Sequence, residues 1–229
     1  MLSPEVRFYQ RLLALDEDEA AELAGASLKE KKRLAEVYDS LLIPALGLAK
    51  RDRHEGRLEP DRDRFILQTT RELIEELSEH SAPYSPAPEP TAPSLGGLSV
   101  ACLPAKDEAD ELVRLMLAHL LRKEGYHVAA IPLGIAEGAL AQSPKDCMEV
   151  MIISALAPFA ILHARTVCRR MREQCPGIKI VLGPWNSAIP GETIKERLGS
   201  VHFDFIVTTL EQAQSQLAAV ATPVPTSND

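Results

Sequence analysis

The chain has 229 residues, 45% of them hydrophobic and 25% charged, with a net charge of −8 and an aromatic content of only 4%. No block is basic enough to neutralise a phosphate backbone, and no apolar run reaches the roughly 18 residues of a membrane span, which sets aside nucleic-acid binding and direct membrane insertion. The opening MLSPEVRFYQ is not a signal-peptide pattern, and Cys102, Cys147, Cys168 and Cys175 lack Cys-x-x-Cys spacing, so free thiols in a cytoplasmic protein are expected.

Residues 1–80 read as helical. Pro4 sits early in a first helix, where its missing N–H does no harm, and Val6, Tyr9, Leu12 and Leu13 give it an apolar stripe. Asp16 and Glu19 form a capping pair for a short second helix predicted to end near Gly25. A third pattern runs from about Leu28 to Arg53 with a bend at Pro44, and Pro60-Asp61 opens a fourth through Phe65, Ile66, Leu73, Ile74 and Leu77. Four helices with short connections make a bundle. Residues 81–97, SAPYSPAPEPTAPSLGG, hold five of the 17 prolines and read as a semi-rigid linker.

Residues 98–220 alternate strand and helix five times: LSVACLP, YHVAAIP, EVMIISAL, IKIVLG and FDFIVTT are the strands, and one intervening helix is expected over GIAEGALAQ. Near-continuous β-branched runs suit a parallel sheet covered on both faces, so a doubly wound, flavodoxin-like domain is expected after the bundle, an α plus α/β chain. Residues 221–229 read as a disordered tail.

The junction after the first strand, PAKDEADEL, carries Lys106, Asp107, Glu108, Asp110 and Glu111 with no glycine or histidine. Ligands enter open α/β sheets at such strand ends. Carboxylates in a first helical turn also suit the positive end of the dipole, and capping by Asp107 competes with ligand contact as their explanation. With strand order 2-1-3-4-5, the crevice lies between strands one and three, lined by Lys106, Asp107, Asp110, Ser154 and Leu156, with Gly183 and Trp185 following from strand four. An acidic, glycine-free loop there predicts a neutral or cationic ligand, or a partner protein, rather than a phosphate. A phosphoacceptor receiver would need an aspartate where Ser154 stands and a lysine where Thr208 stands. His54, His119, His127, His163 and His202 show no metal-ligand spacing, and no nucleophile–base pair appears, so no enzymatic activity is expected.

A helical bundle followed by this domain resembles the cobalamin-binding module of methionine synthase, corrinoid carrier proteins and light-sensing transcriptional regulators. Counting back from Gly125-Tyr126-His127-Val128, that family's Asp-x-His-x-x-Gly loop places its cobalt-ligating histidine on Asp110 and its glycine on Val113. Its Ser-x-Leu strand end corresponds to Ser154-Ala155-Leu156, and its Gly-Gly to Gly183-Pro184. The cap tryptophan becomes Arg53, and the cap Glu-His pair becomes Asp63-Arg64. The resemblance thus implies a cobalamin crevice without its cobalt ligand, since a carboxylate is a hard donor poorly matched to low-spin corrin cobalt. The segments PEVRFYQRLLA, VYDSLLIPAL, GRLEPDRDRFI, TRELIEEL and PAKDEADEL resemble more closely the soluble C-terminal extension of bacterial autoinducer-2-exporter-type permeases. That resemblance implies a non-catalytic sensor or regulatory module serving a membrane transporter in cis or in trans. The alternative is a functional corrinoid carrier or light sensor that holds cobalamin without a protein histidine.

Overall fold

The computed structural model of the chain describes residues 2–80, 98–133, 148–187, 191–199 and 201–221. The proline-rich stretch 81–97, the helix expected over GIAEGALAQ, Cys147 and residues 222–229 lie outside them.

The helical half contains α1 (Pro4–Leu13), α2 (Glu17–Lys31), a rod made of α3 (Leu34–Val37), a π-turn (Tyr38–Leu42) and α4 (Ile43–His54), and then α5 (Pro60–His80). Asp16 caps α2 by accepting the Glu19 N–H at 3.1 Å. The helix does not stop near Gly25 but runs on to Lys31, where Lys32 in the left-handed region at φ 61° ends it. Gly25 is an ordinary helical position; the break comes with the KEKKR run, and the third rod starts at Leu34 rather than Leu28. The expected bend at Pro44 takes the form of the π-turn just before it. Pro44 has no N–H for the Ser40 carbonyl, and the ladder widens by one residue so that the Ile43 N–H reaches the Tyr38 carbonyl. Phe8, Leu12, Tyr38, Leu42, Ile66 and Ile74 are fully buried at the centre of the bundle.

The second half is a five-stranded parallel sheet in the order β2-β1-β3-β4-β5, formed by β1 (Ser99–Pro104), β2 (His127–Ala130), β3 (Val150–Leu156), β4 (Lys179–Trp185) and β5 (Phe205–Ile206). The expected fifth strand is reduced to two residues at the edge. The helices are α6 (Glu108–Lys123), α7 (Ile161–Gln174), α8 (Gly191–Leu198) and α9 (Leu210–Ala221), so Ala221 ends a helix rather than opening the tail. Alternation along β1 divides the core. Val100 and Cys102 pack with Leu112, Val113, Met116 and Leu217 of α6 and α9, whereas Ala101 and Leu103 pack with Ala164, Cys168 and Ile194 of α7 and α8. The cluster that holds α6 and α9 continues into the helical half. Cys102 and Cys168 are free and buried, and burial pushes their thiols up to about 12 and about 11.

Candidate functional site

The third rod of the bundle lies across the C-terminal ends of the strands. Near its start, Asp39 in the π-turn accepts the backbone N–H groups of Leu210 at 2.8 Å and Glu211 at 3.2 Å, capping α9 just after β5. Farther along, Gly47 faces Asn186 at the end of β4; a Cβ on Gly47 would collide with the Asn186 amide. Then Lys50 meets Asp110 and Asp107 at the start of α6, after β1, and the His54 ring lies 4.3 Å from that of Phe159, after β3. The span is consistent with this path. Eleven residues from Asp39 to Lys50 at roughly 1.5 Å each give about 16 Å, and the three strand spacings from β5 to β1 at roughly 4.8 Å give about 14 Å. The rod therefore acts as a strut that joins the N-termini of two helices of the α/β half.

At the α6 end the polar groups form one connected network. Asp107 and Asp110 make a reciprocal capping box, each carboxylate accepting the other residue's backbone N–H, at 3.2 and 3.3 Å. Asp110 is completely buried and also accepts the Leu156 N–H at 2.8 Å and the Lys50 ammonium at 2.7 Å. Lys50 is itself only 3% exposed and donates to Asp107 at 3.1 Å. Arg53 bridges Asp107 at 3.2 Å and Asp63 at 3.0 Å, which joins α4 to both α6 and α5. Burial pushes the Asp110 carboxyl above the usual carboxylate range, while Lys50 beside it and the Leu156 N–H pull it back. A buried carboxylate with this partner set has its donors supplied by the protein itself.

The strand ends are filled in the same way. Ser154 donates to the Asp110 carbonyl at 2.9 Å and accepts the Trp185 indole N–H at 2.7 Å. The Trp185 ring is fully buried and lies against Gly183, where any Cβ would overlap it. Glycine is required at 183 because the indole occupies the side-chain space.

The structure thus brings together Asp107, Asp110, Ser154, Leu156, Gly183, Trp185, Arg53 and Asp63. Val113 is core, on the buried face of α6. Lys106 is exposed, outside the network. Arg64 pairs with Asp61 at 3.3 Å on the outer surface and is 78% exposed, so the cap-side placement expected for it is corrected: it points to solvent. Lys50 and Asp39 were missed. The signal for Lys50 was present, since it falls on the stripe of Ile43, Leu46 and Gly47, and a lysine on a buried stripe calls for a buried carboxylate. Among the described residues no group of three His, Cys, Asp or Glu side chains is placed to hold a metal ion, and no helix is long and apolar enough to cross a membrane.

No protein-family model and no curated protein matches the chain. Solved structures do. The Methanosarcina barkeri monomethylamine corrinoid protein superposes with a TM-score of 0.64 at 11% identity, covering 93% of this chain and 96% of that one. The likeness is one of fold. The methanol:cobalamin methyltransferase complex MtaBC of the same organism matches at 18% identity over 95% of this chain and 79% of that one, and a cobalamin-binding protein of Desulfitobacterium hafniense DCB-2 at 10% identity over 95% and 98%, each with a TM-score of 0.43.

The residues present do not fit the corrinoid that the sequence resemblance implies. A planar macrocycle between cap and strand ends needs clearance on both faces, and here Gly47 lies against Asn186, the His54 ring lies tilted against Phe159 and Lys50 bonds Asp110 directly. Asp110, which stands where the resembled family carries its cobalt-ligating histidine, is already engaged by Lys50, Leu156 and Asp107.

Proposed function

We propose that this chain is a non-catalytic regulatory module of corrinoid-protein architecture whose ligand crevice is closed by its own side chains, and that it works through a protein partner. The observation that carries the reading is the Lys50–Asp110 ion pair, buried at the place where the cap would otherwise stand clear of the strand ends. The fully buried Trp185 between Ser154 and Gly183 supports it independently. Sequence resemblance to permease extensions makes a membrane transporter, in cis or in trans, the client this reading favours.

Titration with hydroxocobalamin and adenosylcobalamin, followed by ultraviolet–visible spectroscopy and calorimetry, tests the reading. The expected result is no spectral shift and no saturable heat. A stoichiometric spectrum of bound corrinoid would overturn the closed-crevice reading and establish a carrier or sensor that lacks a histidine ligand.

A further inference from the structure

Helices α1, α2, α4 and α6 place their charges in accord with the helix macrodipole. Acidic residues open α1, α2 and α6, and Arg11, Lys29 with Lys31, Arg51 with Arg53, and Arg122 with Lys123 close the four. Two helices depart, with opposite signs. The first turn of α7 has no acidic residue; His163 and Arg165 stand at its start and Arg169 one turn on, beside Leu162, which is 66% exposed. The C-terminal half of α5 carries Glu72, Glu75, Glu76 and Glu79 at spacings of three and four, a single exposed stripe with only His80 basic in the last turn. Both placements are unfavourable within an isolated helix. Among the described residues, Arg165, Arg169, Glu76 and Glu79 have no ion-pair partner.

The two faces also lie on opposite sides of the molecule. Helix α7 packs on the sheet face formed by Ala101, Leu103 and Met151, whereas α5 packs on α6, which covers the other face. A basic surface and an acidic surface on opposite sides of one chain cannot meet within that chain, but they can meet between copies. Set antiparallel, the C-terminal half of one α5 lies beside the N-terminal half of a second α7, and the macrodipole ends add to the side-chain attraction. Such a contact is heterologous, generating an open chain or a closed ring rather than a two-fold dimer.

We propose that this chain associates head to tail, the acidic C-terminal half of α5 of one copy seated on the basic N-terminal half of α7 of the next. The test is sedimentation velocity with light scattering over a concentration series, at low salt and at salt well above physiological. The variants are Arg165→Glu/Arg169→Glu and Glu76→Arg/Glu79→Arg. Each exchange agrees with its helix dipole, so both variants should fold, and circular dichroism checks this. Wild type should gain mass with concentration at low salt and lose it at high salt. Each variant alone should stay monomeric at a tenfold higher concentration than wild type needs. An equimolar mixture of the two should associate again, since the acidic α7 of one meets the basic α5 of the other. Wild-type protein that is monomeric throughout, variants that associate like wild type, or a mixture that behaves as its separate components would each overturn the proposal.

Discussion

Replacing Lys50 by Met removes the only side-chain cation among the described residues that touches Asp110, and keeps nearly the same volume. Asp110 has no exposure, so its charge cannot be rescued by solvent; the Leu156 and Asp107 N–H groups remain as donors. Breaking one side of a buried ion pair costs about 3–5 kcal/mol. With roughly 2–4 °C per kcal/mol for a chain of this size, the melting temperature should fall by about 10 °C. The loss should depend on pH. Without Lys50 the folded-state Asp110 titrates well above its unfolded value, so its contribution is fully present below the unfolded pKa and lost as pH rises through the folded one. The deficit should therefore shrink in acid. Urea unfolding read by the fluorescence of Trp185, the single tryptophan, measures it next to the network. The double variant Lys50→Met/Asp110→Asn should regain at least half of the loss, because no uncompensated charge remains. A single variant within about 1 kcal/mol of wild type, or a double variant no better than the single, would refute the reasoning.

Gly183→Ala places a Cβ inside the Trp185 ring and should cost about 1–3 kcal/mol through overpacking, with a shifted tryptophan emission as its sign. Ser154→Ala leaves the buried indole N–H without its acceptor and should cost about 1–3 kcal/mol by the same urea assay. Burial pushes the Asp39 carboxyl up to about 6, against the Leu210 and Glu211 N–H groups, and the neighbouring Glu211 carboxylate, itself paired with Arg33, adds to the rise. Its folded value exceeds its unfolded one, so its stabilising contribution is complete below about pH 4 and is lost as pH rises through about 6. Asp39→Asn should flatten the stability profile across that window and match or exceed wild type at pH 8, by on the order of 1 kcal/mol; a variant markedly less stable at pH 8 would mean that the ionised cap outweighs its desolvation.

Much of the fold is legible along the chain because each local signal agrees with the global one. The β-branched runs predict a sheet covered on both faces, and Val100 to Leu103 are indeed buried on either side. Asp16 and Asp107 announce helix starts and make the caps. Gly25 misled because glycine permits a helix end without requiring one; the actual stop needs Lys32 in the left-handed region, which nothing in KEKKR advertises. The candidate site was legible by position but not by state. Asp110, Ser154, Gly183 and Trp185 are where the strand order puts them. They bond one another, and the Asp110 carboxylate is completed by Lys50, sixty residues away in the chain. Long-range pairing of this kind leaves no trace in periodicity.

The strut meets the α/β half through apolar packing and, in addition, through polar contacts at two helix ends. Where α5 packs on α6 the join is largely apolar, with the Arg71–Glu108 ion pair and the Lys123 bond to the Ser78 carbonyl at its margins. Along the strut, contacts of charge to helix end are added to the apolar ones: Asp39 on α9, and Lys50 and Arg53 on the carboxylates that cap α6. Buried ion pairs of this type add little net stability over apolar residues of the same volume, but they fix register, because a shift of one residue leaves charges unpaired at both ends. A helix that must lie across four strands without sliding needs that kind of fixing. Gly47 lets the helix approach Asn186 closely, and the charges set its position along the sheet.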